Sequence, residues 1–274
     1  MTQLNCKSFA KLNLCLHVLN KRKDDYHNLE SIFQTINLYD CLAFKKNNNK
    51  SINFTTDSKL INPLDNLITK AYKFISVESN KEIGVDIFLK KNIPIGAGLG
   101  GGSSNAAVTL IAINSLFNLN LSKNQLLKIS QNIGSDVPFF IEGGAACVRG
   151  KGDVIESLVS SKKYFVLIFS DISISTQQIF QSLSPKYFSS NTTNTDLSNS
   201  KYNCLEETVF VKYPQLKDTK YWLSSFGSVR MSGTGSTLYI EYDDYESANK
   251  ANKEIGRKYR SKIVSSLESY DIFS

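Results

Sequence analysis

Two hydrophobic periods alternate along the chain. Phe9, Leu12, Leu14, Leu16 and Val18 run close to every second position, which predicts a strand over 6–18. Segments 32–36, 41–45 and 52–55 read as two or three more strands, with a polar turn at 46–50 before the last. The period then lengthens. Leu67, Ile68, Ala71, Phe74 and Ile75 mark a helix behind Asn66, and Val85, Ile87 and Leu89 mark a strand over 84–90. Ala106, Ala107, Leu110, Ile111, Asn114 and Phe117 return to helical spacing, and 126–133 predicts another helix that stops before Gly134. Further on, 164–169 reads as a buried strand, 176–180 opens a helix, 206–226 is helical, 237–242 alternates as a strand and 245–256 is helical. Ser189 to Ser200 is rich in Ser, Asn and Thr and reads as a mobile loop. Nothing repeats internally.

Bulk composition narrows the class. A chain of 274 residues with 41% hydrophobic content can hold one large domain or two packed ones. Thirty-two basic against 25 acidic residues give a net charge of +7, which suits anionic ligands such as nucleotides. Nucleic acid would suit it too, but no basic run exceeds Lys21-Arg22-Lys23, so most of this charge reads as solvated surface. The five cysteines are widely and irregularly spaced with no C-x-x-C, which argues against a zinc site or a disulfide framework and for a reducing compartment. Two histidines exclude a His-rich metal site. No apolar run approaches the roughly eighteen residues of a membrane span, and the first residues carry no apolar signal core, so a soluble cytoplasmic protein is expected.

One stretch concentrates chemistry. Between the strand at 84–90 and the helix after it lies Pro94-Ile-Gly-Ala-Gly-Leu-Gly-Gly-Gly-Ser-Ser104, with five glycines in seven positions. Glycines let the backbone approach a ligand closely, and free N–H groups and the dipole at a helix start favour phosphate. Ser103 and Ser104 are expected to cap that helix and to offer hydroxyls to a phosphate or to Mg²⁺. A flexible turn with a serine cap is the plain alternative, and the glycine density disfavours it. Gly96, Gly98 and Gly101 satisfy the dinucleotide spacing, yet no Asp or Glu follows between Gly102 and Ser135 to hold a ribose. Walker A fails for want of its lysine, and the protein-kinase signatures are absent. Taken alone, Lys11 would be a solvated strand lysine, Tyr26-His27 a surface turn and Asp136 a helix cap. Asp136 nevertheless stands among apolar neighbours, where a carboxylate needs partners.

The glycine stretch with Asn105-Ala-Ala behind it resembles the second motif of the GHMP kinases (galactokinase, homoserine kinase, mevalonate kinase and relatives). Ala10-Lys11-Leu12-Asn13-Leu14 resembles their first motif and Arg230-Met-Ser-Gly233-Thr-Gly235-Ser236 their third, in the family's order over nearly the whole chain. Asp24-Asp25-Tyr26-His27, Glu30-Ser-Ile-Phe-Gln34, Leu38-Tyr-Asp40 and Gly134-Ser-Asp136-Val-Pro138 are similar to the diphosphocytidyl branch, although Asp25 stands where that branch often has glycine.

This resemblance implies an α+β fold of two domains: a ribosomal-protein-S5-like α/β domain over 1–157 and a ferredoxin-like α/β domain over 158–274, with the active site in the cleft between them. It implies transfer of phosphate from ATP, with Mg²⁺, to the C2 hydroxyl of a cytidine diphosphate-linked methylerythritol in the non-mevalonate route to isoprenoids. Lys11 and Asp136 would be catalytic. Pro94, Ile95, Gly96, Ala97, Gly98, Leu99, Gly100, Gly101, Gly102, Ser103 and Ser104 would hold the ATP phosphates, with Asn66 and Lys91 on the purine side and Ser104 helping the metal. Asn13, Tyr26, His27, Thr176 and Phe180 would bind the acceptor, Phe180 sandwiching the base against Tyr26, and Gly233 and Gly235 would support the phosphate loop. The partner is a small molecule, not nucleic acid or membrane, and the protein is expected as a monomer or homodimer. The rivals are a GHMP kinase for another small alcohol, which has no need of the Tyr-His pair, and a non-enzymatic nucleotide- or RNA-binding protein, which needs neither Lys11 nor Asp136.

Overall fold

Strand β1 (Gln3–Lys21) runs through every apolar core of the molecule. Cys6 belongs to the first core, Ala10 and Leu12 to a cluster shared by both halves, and Leu16 and Val18 to the core of the second half. With apolar packing on both faces, the strand extends well past its alternating stretch. The fold is a computed structural model, and it describes residues 2–189, 197 and 199–273. The Ser/Asn/Thr-rich stretch expected as a mobile loop lies largely outside these.

The first sheet grows from β2 (His27–Lys46), which carries antiparallel β1 along one edge. On its other edge, Leu29–Gln34 pair with β5 (Ala145–Gly150) and Cys41–Lys46 with β4 (Val85–Lys90). Beyond them lie β6 (Val154–Leu158) and β3 (Ile52–Thr56), the latter parallel to β4. The two strands expected at 32–36 and 41–45 are therefore one. Register against β1 jumps from Phe9–Tyr39 to Ala10–Ile36, so Asn37 and Leu38 bulge and the side-chain alternation changes parity midway. β5 and β6 form a hairpin, with residues 151–153 as its turn.

Helices α1 (Leu67–Ser79), α2 (Gly101–Leu116), α3 (Lys123–Gln131) and α4 (Val137–Glu142) complete the first core. One expectation changes here. Helix α2 starts at Gly101 with Gly100 in the left-handed region as its N-cap, so Ser103 and Ser104 lie inside the first turn and do not cap it. Val137 is helical despite Pro138, because proline sits in the first turn of α4, where its missing N–H has no helical partner to lose.

The second sheet has the order β10-β7-β9-β8 with every neighbour antiparallel. Its strands are β7 (Tyr164–Ile168), β8 (Val229–Met231), β9 (Leu238–Tyr242) and β10 (Ser261–Ser265). Helices α5 (Thr176–Ser182), α6 (Glu206–Lys212) and α7 (Pro214–Leu223) link β7 to β8, and α8 (Tyr245–Ile255) links β9 to β10. This is ferredoxin-like connectivity. The helical run expected over 206–226 divides at Tyr213, because Pro214 opens a new helix.

Ala10, Leu12, Ile36 and Leu38 of the first sheet meet Phe165, Leu167, Tyr239 and Val264 of the second, with Ile93, Ala97 and Leu99 between them. The approach to the glycine stretch is thus gripped by apolar burial from both sides. The sheets change over between Leu158 and Tyr164, near the expected division at 157/158, but the end of the chain returns to the first half. There Lys7 N–H bonds Ile272 O at 2.7 Å and Ile272 joins the first core.

Candidate active site

Lys11 and Asn13 share one face of β1, beside a second bulge between Asn13 and Cys15. The Lys11 side chain is buried, and its ammonium donates to Asn13 Oδ1 at 2.5 Å and lies 3.6 Å from Asp136 Oδ2. The Phe33 ring sits 4.7 Å from the charge. Burial lowers the pKa of Lys11, and Asp136 offsets part of that effect. Asp136 occupies the N-cap position of α4 yet makes no capping bond, and 29% of its side chain is open to a cleft of about 1250 Å³. Asn13 is oriented in turn: its amide donates to Ser31 Oγ at 3.0 Å, and Tyr239 Oη donates to its carbonyl at 2.7 Å.

Pro94 to Ser103 form one wall of this cleft. Ser104 N–H to Gly100 O begins the α2 ladder, so the amides of Gly101, Gly102 and Ser103 have no helical acceptor. The three glycine-bearing segments interlock. Ser232 Oγ donates to Gly98 O at 2.9 Å, and a Cβ on Gly233 would stand 3.1 Å from Asn13 Oδ1 and 3.6 Å from Lys11 Nζ. Gly98 has φ +74°, and a Cβ there would come 2.0 Å from Ser232 O. Gly98→Ala is therefore expected to destabilise the fold by about 1–3 kcal/mol and to weaken nucleotide binding. Thermal unfolding and titration with a non-hydrolysable ATP analogue measure the two effects.

The far end of the cleft is aromatic. His27 is buried, 5.4 Å from the Phe180 ring and 5.9 Å from that of Phe188. Tyr26 is exposed, with the Lys151 ammonium 5.6 Å from its ring centroid. Phe180 packs on His27 and borders the same cleft as Tyr26. Thr176 Oγ1 meets Thr234 Oγ1 at 3.1 Å, which ties α5 to the third motif. Burial, and then Lys21, lower the pKa of His27.

Two expected contacts are corrected. Ser104 is buried, accepts from Ser8 Oγ at 2.8 Å and does not border the cleft, so the first-turn hydroxyl available to a metal is that of Ser103. Asn66 borders the cleft while its side chain caps α1, accepting from Thr69 N–H at 3.0 Å and donating to Asn62 O and Pro63 O. Lys91 borders the cleft, but its ammonium is engaged by Asp40 Oδ2 at 2.8 Å and Ile93 O at 2.5 Å. Gly235 also lies outside the cleft, its amide bonded to Ser232 O, and acts through the turn it makes. Sequence reasoning missed Lys151 and Phe188. The one signal for Lys151 was its place between Gly150 and Gly152, while Phe188 precedes a low-complexity stretch and gave none.

A helix start that presents amides without helical acceptors in the same cleft as a buried lysine and a carboxylate is suited to moving a phosphoryl group. Family comparison agrees: residues 66–144 match the GHMP kinases N terminal domain, and residues 192–261 match the GHMP kinases C terminal. The chain belongs to the GHMP kinase family.

Its curated relatives include the 4-diphosphocytidyl-2-C-methyl-D-erythritol kinase of Francisella philomiragia subsp. philomiragia, 39% identical over 267 residues and covering 96% of each chain. The enzyme of the same name from Thermodesulfovibrio yellowstonii is 40% identical, covering 91% of this chain and 93% of its own. A crystal structure of 4-(cytidine 5'-diphospho)-2C-methyl-D-erythritol kinase superposes with a TM-score of 0.83 at 27% identity, over 97% of this chain and 100% of that one. Homoserine kinase from Cytophaga hutchinsonii shares the fold, with a TM-score of 0.72 at 17% identity over 100% of this chain and 96% of its own.

Proposed function

We propose that this kinase transfers the γ-phosphoryl group of ATP to the C2 hydroxyl of 4-diphosphocytidyl-2-C-methyl-D-erythritol, giving the 2-phosphate in the non-mevalonate route to isopentenyl diphosphate. The observation that carries this reading is one cleft lined by the N-terminus of α2, the Lys11–Asp136 pair and an aromatic group that contains a histidine. The α2 amides of Gly101, Gly102 and Ser103 receive the ATP phosphates, and the purine lies toward Leu60, Ile61 and Ile95. Asp136 accepts the proton of the acceptor hydroxyl. Lys11 stabilises charge that develops on the transferred group, with Asn13 fixing its direction. The cytosine lies among Tyr26, His27, Phe180 and Phe188, and Lys151 sits at its edge.

The donor set fits a cation that arrives on the nucleotide. Ser103 and Asp136 offer hard oxygen donors at the cleft, and among the described residues no group of three His, Cys, Asp or Glu could cage a metal. Mg²⁺ would neutralise charge across the phosphates. No helix among the described residues is long and apolar enough to cross a membrane, and we place the protein in the cytoplasm as a monomer or homodimer.

The test is ADP release from MgATP with the cytidyl acceptor, homoserine and mevalonate in parallel. Turnover confined to the cytidyl acceptor supports the reading, and turnover with another alcohol would discard the cytosine pocket. A neutral imidazole nitrogen can accept from the cytosine amino group, which imidazolium cannot do. Because the His27 pKa lies below its ordinary 6.5, its neutral form persists into mild acid. KM for the cytidyl acceptor is therefore expected to rise only below pH 6.5, with KM for ATP unaffected. An acceptor KM unchanged in His27→Ala would remove His27 from base recognition.

A further inference from the structure

The Leu38-Tyr-Asp40 segment is used by neither the phosphate wall nor the base pocket. Asp40 has no exposed surface. A carboxylate in that position persists only with a cation and a full set of donors. Its Oδ1 accepts from the backbone N–H of Asn92 at 2.7 Å and of Ile93 at 2.8 Å. Its Oδ2 accepts from Lys91 Nζ at 2.8 Å and from Asn105 Nδ2 at 3.0 Å.

These donors bracket the glycine stretch. Asn92 and Ile93 lead from β4 into Pro94, and Asn105 sits in the second turn of α2. Asp40 lies beside the end of β4, since Cys41 is opposite Lys90. The network continues through Asn105 Nδ2 to Ser8 Oγ at 2.9 Å, and Ser8 donates to Ser104 Oγ at 2.8 Å, which reaches β1 three residues before Lys11. Lys91 Nζ would stand 3.1 Å from a Cβ on Gly101, so its charge lies under the start of α2, where the helix dipole opposes it. Asp40 compensates that charge.

We propose that Asp40 is a positioning residue for the nucleotide: through Lys91, Asn105 and the backbone of 92–93, it sets the glycine stretch and the α2 N-terminus against each other, so that their amides meet the phosphates. This rests on the reading of that wall as the ATP site. Asp40 touches no substrate, and its contribution is felt on the nucleotide side of the cleft.

Asp40→Asn tests it. An asparagine keeps an oxygen for the two backbone donors but turns an amide toward the donors Lys91 and Asn105. The expected result is a rise of about tenfold in both KM for ATP and Kd for a non-hydrolysable ATP analogue, with kcat and KM for the cytidyl acceptor within about threefold of wild type. In a Lys91→Met background no buried ammonium is stranded, so there Asp40→Asn should cost markedly less nucleotide affinity. That double variant also serves if the single one does not fold. A merely structural role would lower the melting temperature and shift ATP and acceptor parameters together, which would overturn the proposal. Unchanged analogue affinity in Asp40→Asn, or an undiminished effect beside Lys91→Met, would overturn it as well. If the wild-type protein itself does not bind the analogue, the nucleotide reading falls and this inference falls with it.

Discussion

Asp136→Asn is expected to lower kcat by roughly a thousandfold, in the middle of the range for loss of a general acid–base group. Binding of the ATP analogue should stay within a few-fold of wild type. Asparagine matches aspartate in shape, and the Asp136 side chain makes no capping bond to α4 whose loss could disturb the helix. What disappears is a proton acceptor 3.6 Å from the Lys11 ammonium. A second consequence separates this role from a simple loss of fold. The Asp136 charge offsets part of the burial effect on Lys11, so the variant's Lys11 should lose its proton at lower pH than in wild type. Residual turnover should then decline on the alkaline side sooner. Near-normal turnover in a folded Asp136→Asn protein would remove Asp136 from the chemistry.

Lys11 shows how far the sequence could go unaided. In a strand pattern a lysine reads as solvated, and only the motif around it suggested otherwise. The structure buries it because the middle of β1 is covered by apolar partners from both halves, Ile36 and Leu38 from one and Phe165 and Tyr239 from the other. Elements with a clean local period were legible, among them α1, β4, most of α2 and α8. Elements defined by pairing were not. β8 has three residues, and β10 reads as polar at Ser261, Lys262 and Ser265, yet its register against β7 is continuous. The union of two expected strands into β2 depended on a bulge, which erases the parity signal that sequence reading uses. In the site, residues inside motifs were found. Phe188, whose role comes from its tertiary placement against His27, carried no local mark, and Asp40 was marked by its segment alone, with nothing local to say which donors its carboxylate meets.

Lys11→Met should lower kcat by about a hundred- to a thousandfold, the cost of removing one preorganised charge from a phosphoryl-transfer site. The same substitution is not expected to destabilise the fold. A buried ammonium is desolvated, and its attraction to a partly solvated carboxylate at 3.6 Å recovers only part of that cost. Methionine keeps the apolar length of the stem against Phe33. Activity and stability should therefore move apart, and pH provides the sign. The folded-state pKa of Lys11 lies below its ordinary 10.5, so between the two values the unfolded chain binds more protons than the folded one. In that window the Lys11 contribution to stability rises with pH, while the protonated form needed for catalysis is lost. Wild-type kcat should fall on the alkaline side below pH 10.5, and the melting-temperature difference between Lys11→Met and wild type should shrink over the same interval. Differential scanning calorimetry of the two proteins, alongside the rate profile, follows both. A rate limb without the matching change in the stability difference would assign the limb to a group other than Lys11.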